Sequence, residues 1–180
     1  MPQDFLLPRS FTSARLVLRG WLIKDTAEVY AYSSDPVWGV YLDLPTPYSF
    51  QDAKAFIASH SNMMHFPRFS WAITSNGELL GGINIRYLNS MKHTSVGWAI
   101  KRPLWGLGYG SEAAEALISM VFRQDQTVSM IKAEADRRNI ASIRVMKKVG
   151  MSIVEEDLFS NCMVVGTITR HDWGKRTINN

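Results

Sequence analysis

The sequence predicts a mixed α/β (α+β) domain: a mostly antiparallel sheet flanked by helices, with one strand-loop-helix-strand crossover. Three observations carry that class. Strand-like alternation and helix-like spacing of apolar residues take turns along the chain, with no internal repeat and no long linker. Asn76-Gly77 lies between two apolar runs, a strong hairpin signal that makes the strands on either side antiparallel. Gly106, Gly108 and Gly110 crowd the start of a helical pattern with a strand pattern on each side, so one connection crosses over, and it should be right-handed.

In chain order, "RLVLRGW" (15 to 21) reads as the first strand, and a helix over about 24 to 33 ends before Asp35-Pro36. The segment 49 to 64 offers Ser49 as an N-cap for a second helix with Ala53, Phe56 and Ile57 on one face. "SWAIT" (70 to 74) and "ELLGGINIRYL" (78 to 88) form the hairpin arms, and "TSVGWAI" (94 to 100) adds a third strand that alternates Val96, Trp98 and Ile100 with smaller residues. Ala113, Leu117, Met120 and Val121 recur at helical spacing, which predicts a helix over about 110 to 123. A strand at 130 to 135 follows, then a short helix within 139 to 150 stopped by Gly150 at the C′ position. Strands near 152 to 157 and 162 to 170 finish the chain.

A chain of 180 residues that is 46% apolar can bury a core of its own, which favours one domain over 1 to 180. The single cysteine, Cys162, has no partner for an internal disulfide. The segment "MPQDFLLPRS" lacks the basic start and apolar stretch of a secretory signal, and no run approaches the ~20 apolar residues that span a bilayer. The expectation is a soluble, cytoplasmic protein with no membrane partner. Net charge is +4, yet lysine and arginine are spread without a block of five or six, so nucleic acid is not an expected partner. The densest basic group is Lys132, Arg137, Arg138, Arg144, Lys147 and Lys148, which reads as a solvated face or as contact with an anionic ligand. His60, His65, His93 and His171 show no metal-binding spacing; they read as surface or packing residues, with His65 and His93 the candidates for accepting a proton.

Glycines at a helix start leave backbone N–H groups bare at the positive end of the helix dipole, where anionic oxygens bind well. A flexible turn is the alternative. A P-loop requires Gly-Lys-Ser/Thr, which is missing, and a dinucleotide fingerprint starting at Gly106 requires glycine where Ser111 stands. The longer pattern is Ile100, four residues, Trp105, two residues, Gly108, one residue, Gly110. It resembles the acetyl-coenzyme A loop of the GNAT superfamily of N-acetyltransferases. Downstream, Asn139, Ser142 and Gly150 resemble that family's N-x-x-S-x7-G helix. With "TSARLVLRGW" and "VGWAIKRPLWGLGYGSEA", the chain is similar to the RimJ/RimL-like group over roughly residues 12 to 173. Trp105 stands at the family's Gln/Arg position, and Leu107 replaces a frequent basic residue.

The resemblance implies transfer of an acetyl group from acetyl-coenzyme A to a primary amine, without a metal. The backbone of Trp98, Ala99 and Ile100 is implied to pair with the pantetheine arm, with an N–H there holding the thioester oxygen; Trp105 and residues Gly106, Leu107, Gly108, Tyr109, Gly110 and Ser111 are implied to cradle the pyrophosphate. Asn139 is implied to bond the pantetheine, and an N-cap is its other reading. Ser142 is implied to protonate the leaving thiolate, with a bond to its own helix backbone as the alternative. Ser95 occupies the place where many relatives carry a general-base glutamate. The acceptor pocket is implied in 35 to 50, from Trp38, Tyr41 and Asp43, with Tyr48 and Phe50 nearby and some of these aromatics simply core. A protein or peptide N-terminal α-amine is the first acceptor expected and a small amine (amino acid, polyamine or antibiotic) the second. A coenzyme A-binding regulatory module without chemistry is a further alternative. The chain is expected to act as a monomer or homodimer.

Overall fold

Asn76 and Gly77 both hold positive φ (49° and 84°), the backbone that a two-residue hairpin turn with the sheet's own twist demands. They join β4 (Arg68–Ser75) to β5 (Glu78–Tyr87), and β6 (His93–Ile100) extends the meander. The computed structural model describes residues 7–88, 93–156 and 163–178, so Cys162 lies outside the described residues. Before the hairpin come β1 (Ser10–Thr12), β2 (Val17–Arg19), α1 (Thr26–Ser33), α2 (Phe50–His60) and β3 (Met64–His65). After it come α3 (Tyr109–Gln124), β7 (Met130–Asp136), α4 (Ile140–Lys148), β8 (Ser152–Glu156), β9 (Met163–Thr169) and α5 (Arg170–Ile178). The sheet runs β1-β2-β4-β5-β6-β7-β9-β8, with β3 paired beside β4. Every pairing is antiparallel except β6 with β7, which the α3 crossover joins in parallel.

Alternation along the strands gives the sheet two different faces. Phe69, Trp71 and Ile73 of β4, with Ile83, Ile85 and Tyr87 of β5, pack with the Ala113, Leu117 and Val121 stripe of α3 and with Met146 of α4 in the larger core. On the other face Trp21, Val29, Ala53, Ile57, Ala72 and Leu79 form a second, smaller core beneath α1 and α2. Ser49 caps α2 by accepting from Asp52 N–H, while Asp52 accepts from Ser49 N–H at 2.8 Å. At the end of α4, Gly150 (φ +83°) donates to Lys147 O and Met151 to Met146 O, both at 3.0 Å, the paired bonds of a Schellman stop.

The structure corrects the chain ends. A short strand, β1, precedes the first expected one, and Arg170, expected as the end of the last strand, instead opens α5, a helix that the sequence does not announce. Among the described side chains of this helix only Trp173 is buried in the core, and Gly174 follows it, so the sequence offers little apolar period to read. None of the described helices is long and apolar enough to cross a membrane.

The entry to α1 is fixed by charge. Asp25 is 4% exposed and accepts from Arg19 Nη1 (2.7 Å), Arg19 Nη2 (2.8 Å) and Leu22 N–H (2.9 Å). Asp25→Ala leaves a mostly buried guanidinium unpaired and should cost about 3 kcal/mol of stability, a figure moderated by the water that Arg19 still reaches. A urea midpoint within experimental error of wild type would remove this pair as the lock on α1.

Candidate functional site

β6 and β7 pair over only three residues, His93, Thr94 and Ser95 against Met130, Ile131 and Lys132. Beyond that point β6 continues along β5 to Ile100 and β7 continues along β9 to Asp136, so the two parallel strands splay apart. The bonds Leu88 N–H to His93 O and Lys101 N–H to Leu80 O set the ladder's alternation. Odd-numbered residues of β6 therefore turn their backbone groups to β5, and Val96, Trp98 and Ile100 turn theirs into the opening. This narrows the expectation for residues 98 to 100. The groups of Ala99 are directed at Gly82, its partner on β5. The carbonyl of Ile100 accepts from two indoles, Trp38 Nε1 at 2.8 Å and Trp105 Nε1 at 2.7 Å. What the open edge offers an incoming chain is Trp98 N–H, Trp98 C=O and Ile100 N–H.

The three glycines at the foot of the opening are not equivalent. Gly106 and Gly108 sit at φ +81° and +83°, conformations that side chains rarely adopt. Gly110 does not; a Cβ there would make ordinary contacts, 3.4 Å from Val145 and 3.6 Å from Ile100, so neither the backbone nor the space requires glycine at this helical position. Gly108 is the N-cap of α3 and supplies no side-chain cap, which leaves first-turn N–H groups without helical partners. Two cations flank them. A Cβ on Gly108 would lie 3.5 Å from Arg15 Nη2 and 3.6 Å from Lys148 Nζ. Arg15 also donates to Leu107 O at 3.2 Å and covers the Tyr109 ring at 4.5 Å. Leu107 is exposed, Ser111 is buried in the first turn, and Trp105 is partly exposed while fastening the loop to Ile100. The positive charge that Leu107 does not provide thus comes from β2's approach and from the last turn of α4.

Glu112 holds Arg15 in place, accepting from Ser13 Oγ (2.6 Å), Arg15 N–H (2.7 Å) and Arg15 Nε (2.6 Å). Partial burial pushes its carboxyl up, but these donors outweigh burial and keep it below the ordinary glutamate value. On α4, Asn139 is the N-cap: its Oδ1 accepts from Ser142 N–H at 3.1 Å. Among the described residues no partner engages the Asn139 amide NH₂ or the half-buried Ser142 hydroxyl, so the self-bonded reading of Ser142 does not describe this helix. Elsewhere in the basic group, the Arg138 side chain and N–H hold the Asp136 carboxyl down at about 2, and Lys132 pairs with Glu134 at 2.6 Å. Asn139→Asp keeps a competent cap but loses the amide donor. On the expectation from the sequence that Asn139 bonds the pantetheine of coenzyme A, affinity for coenzyme A should fall about tenfold with the melting temperature nearly unchanged; a destabilised variant that binds normally would make Asn139 a cap alone.

The opening leads, on the α1/α2 face, to a cavity of about 300 Å³ lined by Trp38, Asp43, Tyr48, His60, Asn84 and Trp98 among others. Trp38 and Asp43, two of the residues expected to hold the acceptor, line this cavity. Tyr41 does not line it; its hydroxyl donates to Arg138 O at 3.1 Å, tying the 35–50 segment to the turn before α4. Phe50 is exposed and packs edge-on against Tyr30. A second cavity, about 400 Å³, adjoins the first at His60, Asn84 and Gly97 and contains Ser95.

His60 is the histidine that lines both cavities, a role the sequence did not signal. His93 is exposed at the far end of β6, His171 is exposed on α5, and the side chain of His65 lies outside the described part of the chain. The His60 ring stacks on Phe56, with centroids 3.8 Å apart, and its Nδ1 is 2.9 Å from Phe56 O. A carbonyl only accepts, so Nδ1 carries the proton and Nε2 keeps its lone pair. Burial lowers the His60 pKa from its ordinary 6.5, and the charge of Arg68 lowers it further against the opposing Phe56 bond. The ring is a neutral base at pH 7.

Comparison with known proteins agrees with this geometry. Residues 15–152 match the family model of the acetyltransferase (GNAT) domain. The chain is 33% identical over 158 residues to the uncharacterized N-acetyltransferase YnaD of Bacillus subtilis, covering 86% of this chain and 88% of that protein. It is also similar in fold to the crystal structure of a GNAT-family acetyltransferase from Bacillus anthracis, at 23% identity and TM-score 0.74 over 90% and 99% of the two chains. The aminoglycoside acetyltransferase AAC(6')-Ib, solved in complex with coenzyme A, superposes at TM-score 0.73 and 16% identity over 90% of this chain and 99% of its own. A splayed parallel strand pair, a glycine-started helix beside it and a family match across most of the chain come together in one conclusion: this protein belongs to the GNAT acetyltransferase family.

Proposed function

We propose that the protein transfers an acetyl group from acetyl-coenzyme A to a primary amine, and that its preferred acceptor is the N-terminal α-amine of a peptide or protein, as in the RimJ/RimL-like group. The observation that carries this reading is the single opening between β6 and β7, with an anion-binding helix start on one side and a cavity holding a neutral histidine on the other. Acetyl-coenzyme A supplies an activated acetyl thioester. The N–H groups at the start of α3, with Arg15 and Lys148, hold its pyrophosphate. Trp98 and Ile100 bind the pantetheine arm as an added strand, and the Asn139 amide donates to it. An open-edge N–H of β6 stabilises the thioester oxygen as charge develops. His60 Nε2 takes the proton that the amine loses, directly or through water, in place of the glutamate that Ser95 replaces. Ser142 Oγ, free to rotate, donates to the departing thiolate.

A base of this strength favours an acceptor that is easy to deprotonate. An α-amine has pKa about 7.7 to 8.0, so roughly a tenth is neutral at pH 7, against well under a thousandth of a lysine side chain. In matched peptides carrying one free α- or ε-amine, the α-amine is expected to react at least tenfold faster, and Ser142→Ala to lower turnover about tenfold with little change in cofactor affinity. Faster acetylation of the ε-amine would retire the α-amine assignment. A second reading, a small amine, is favoured by the size of the cavity: about 300 Å³ lies at the lower end of the range for small-molecule sites. The aminoglycoside acetyltransferase AAC(6')-Ib, which shares this fold at a TM-score of 0.73, is named for an antibiotic acceptor.

A further inference from the structure

We infer that the acceptor carries a carboxylate close to its reactive amine, and that Arg68 and Arg86 bind it. This rests on the acetyltransferase reading and defines its substrate more closely. The strand register places Arg68 of β4, Arg86 of β5 and Ser95 of β6 directly across from one another in one row on the α1/α2 face. Two arginines opposite each other on neighbouring strands repel, and such a pair persists at a cost unless an anion is shared between them. Among the described residues neither arginine forms an ion pair with an acid. The third cation of the row, Lys132, is already committed to Glu134. Both arginines and Ser95 line the 400 Å³ cavity that joins the acceptor cavity at His60, Asn84 and Gly97.

The spacing suits a bifunctional acceptor. The row of Arg86 and Ser95 lies two residues along the strands from the row of Asn84 and Gly97, about 7 Å, next to Trp98 at the open edge. An amine delivered at Trp98 therefore leaves a carboxylate a few bonds away within reach of two guanidinium groups. Arginine forks bind carboxylates through paired, charge-assisted bonds, so the contact selects as well as attracts. Ser95 puts no negative charge beside this subsite.

The test uses the full chain and acetyl-coenzyme A with three pairs of acceptors: peptides with Glu or Gln at the first position, peptides with Asp or Asn at the second, and free amino acids against their amides. We expect kcat/KM at least tenfold higher for the acid of one or more pairs, and the pair that responds identifies whether a side-chain or an α-carboxylate is read. In Arg68→Gln and Arg86→Gln the preference should collapse towards one, with coenzyme A affinity unchanged; Arg86→Glu should turn it towards amides and cationic acceptors. Equal turnover of every acid and its amide would overturn this inference while leaving the transferase reading intact. So would an acid preference that survives both arginine substitutions. Absence of turnover with every amine would overturn the transferase reading and this inference with it.

Discussion

Gly108→Val is expected to abolish the stabilisation that acetyl-coenzyme A gives the wild-type protein. At a hundredfold excess over Kd a ligand that binds only the folded state contributes about 2.7 kcal/mol, which a thermal melt reads as a clear upward shift. Valine acts at this position in two ways. Its backbone must hold φ +83°, at a cost of roughly 1–2 kcal/mol for a side chain in the left-handed region. Its branched methyls then extend beyond a Cβ already 3.5 Å from Arg15 and 3.6 Å from Lys148, into the space that the two cations and the bare N–H groups share. The variant should melt lower than wild type and show no shift on addition of the cofactor. Gly110→Ala gives the contrasting result: its Cβ makes ordinary contacts with Val145 and Ile100 and alanine is the better helix former, so stability is kept or slightly raised and the cofactor shift remains. An undiminished shift in folded Gly108→Val would show that the pyrophosphate lies elsewhere.

His60→Gln should lower kcat/KM about a hundredfold at pH 7, within the range that a positioned general base contributes. The pH dependence separates catalysis from packing. Burial and Arg68 keep the folded-state pKa of His60 below 6.5, so the wild-type enzyme retains its base at neutral pH and loses it only as the pH falls further. The alkaline rise follows the amine. In the variant the defect should be largest near pH 7 and shrink towards pH 9, where the amine is already neutral. The charged and titratable groups that share its two cavities are Arg68 on β4, Arg86 on β5, Asp43, Tyr32 and Tyr48, and on its own helix Ser59 lies 3.0 Å from Nδ1. Loss of the stacking on Phe56 lowers the melting temperature as well, but a packing defect alone would give a loss of activity that is flat with pH. That flat profile would remove His60 from the chemistry.

The features legible in the sequence are those whose causes are local. Asn76-Gly77, the Ser49 cap with Asp52, and Gly150 with Lys147 and Met146 all act within five residues, and each forms as its residue types require. The glycine pattern before α3 was legible for the same reason. What the sequence concealed depends on partners far apart in the chain. Arg15 meets Glu112 across 97 residues, and its approach to the loop is set by β2's place in the sheet rather than by any motif. Lys148 stood out only as one of a basic group, without a sign that it was the member beside Gly108. His60 reads in the sequence as a surface or packing residue; its place on the cavity wall and the carbonyl of Phe56 make it a neutral base there. The Arg68–Arg86 row exists only once the register of the hairpin is known.

Transfer itself is measured most directly by following free thiol and acetylated amine together, with purified protein, acetyl-coenzyme A and a peptide bearing a free α-amine and an acidic residue near it. We expect amine-dependent thiol release, one acetyl group gained by the peptide for each thiol formed, and loss of both in His60→Gln at pH 7. A protein whose melting temperature rises with acetyl-coenzyme A, yet which releases no thiol with any peptide or small amine, would contradict it and leave a domain that holds the cofactor without using it.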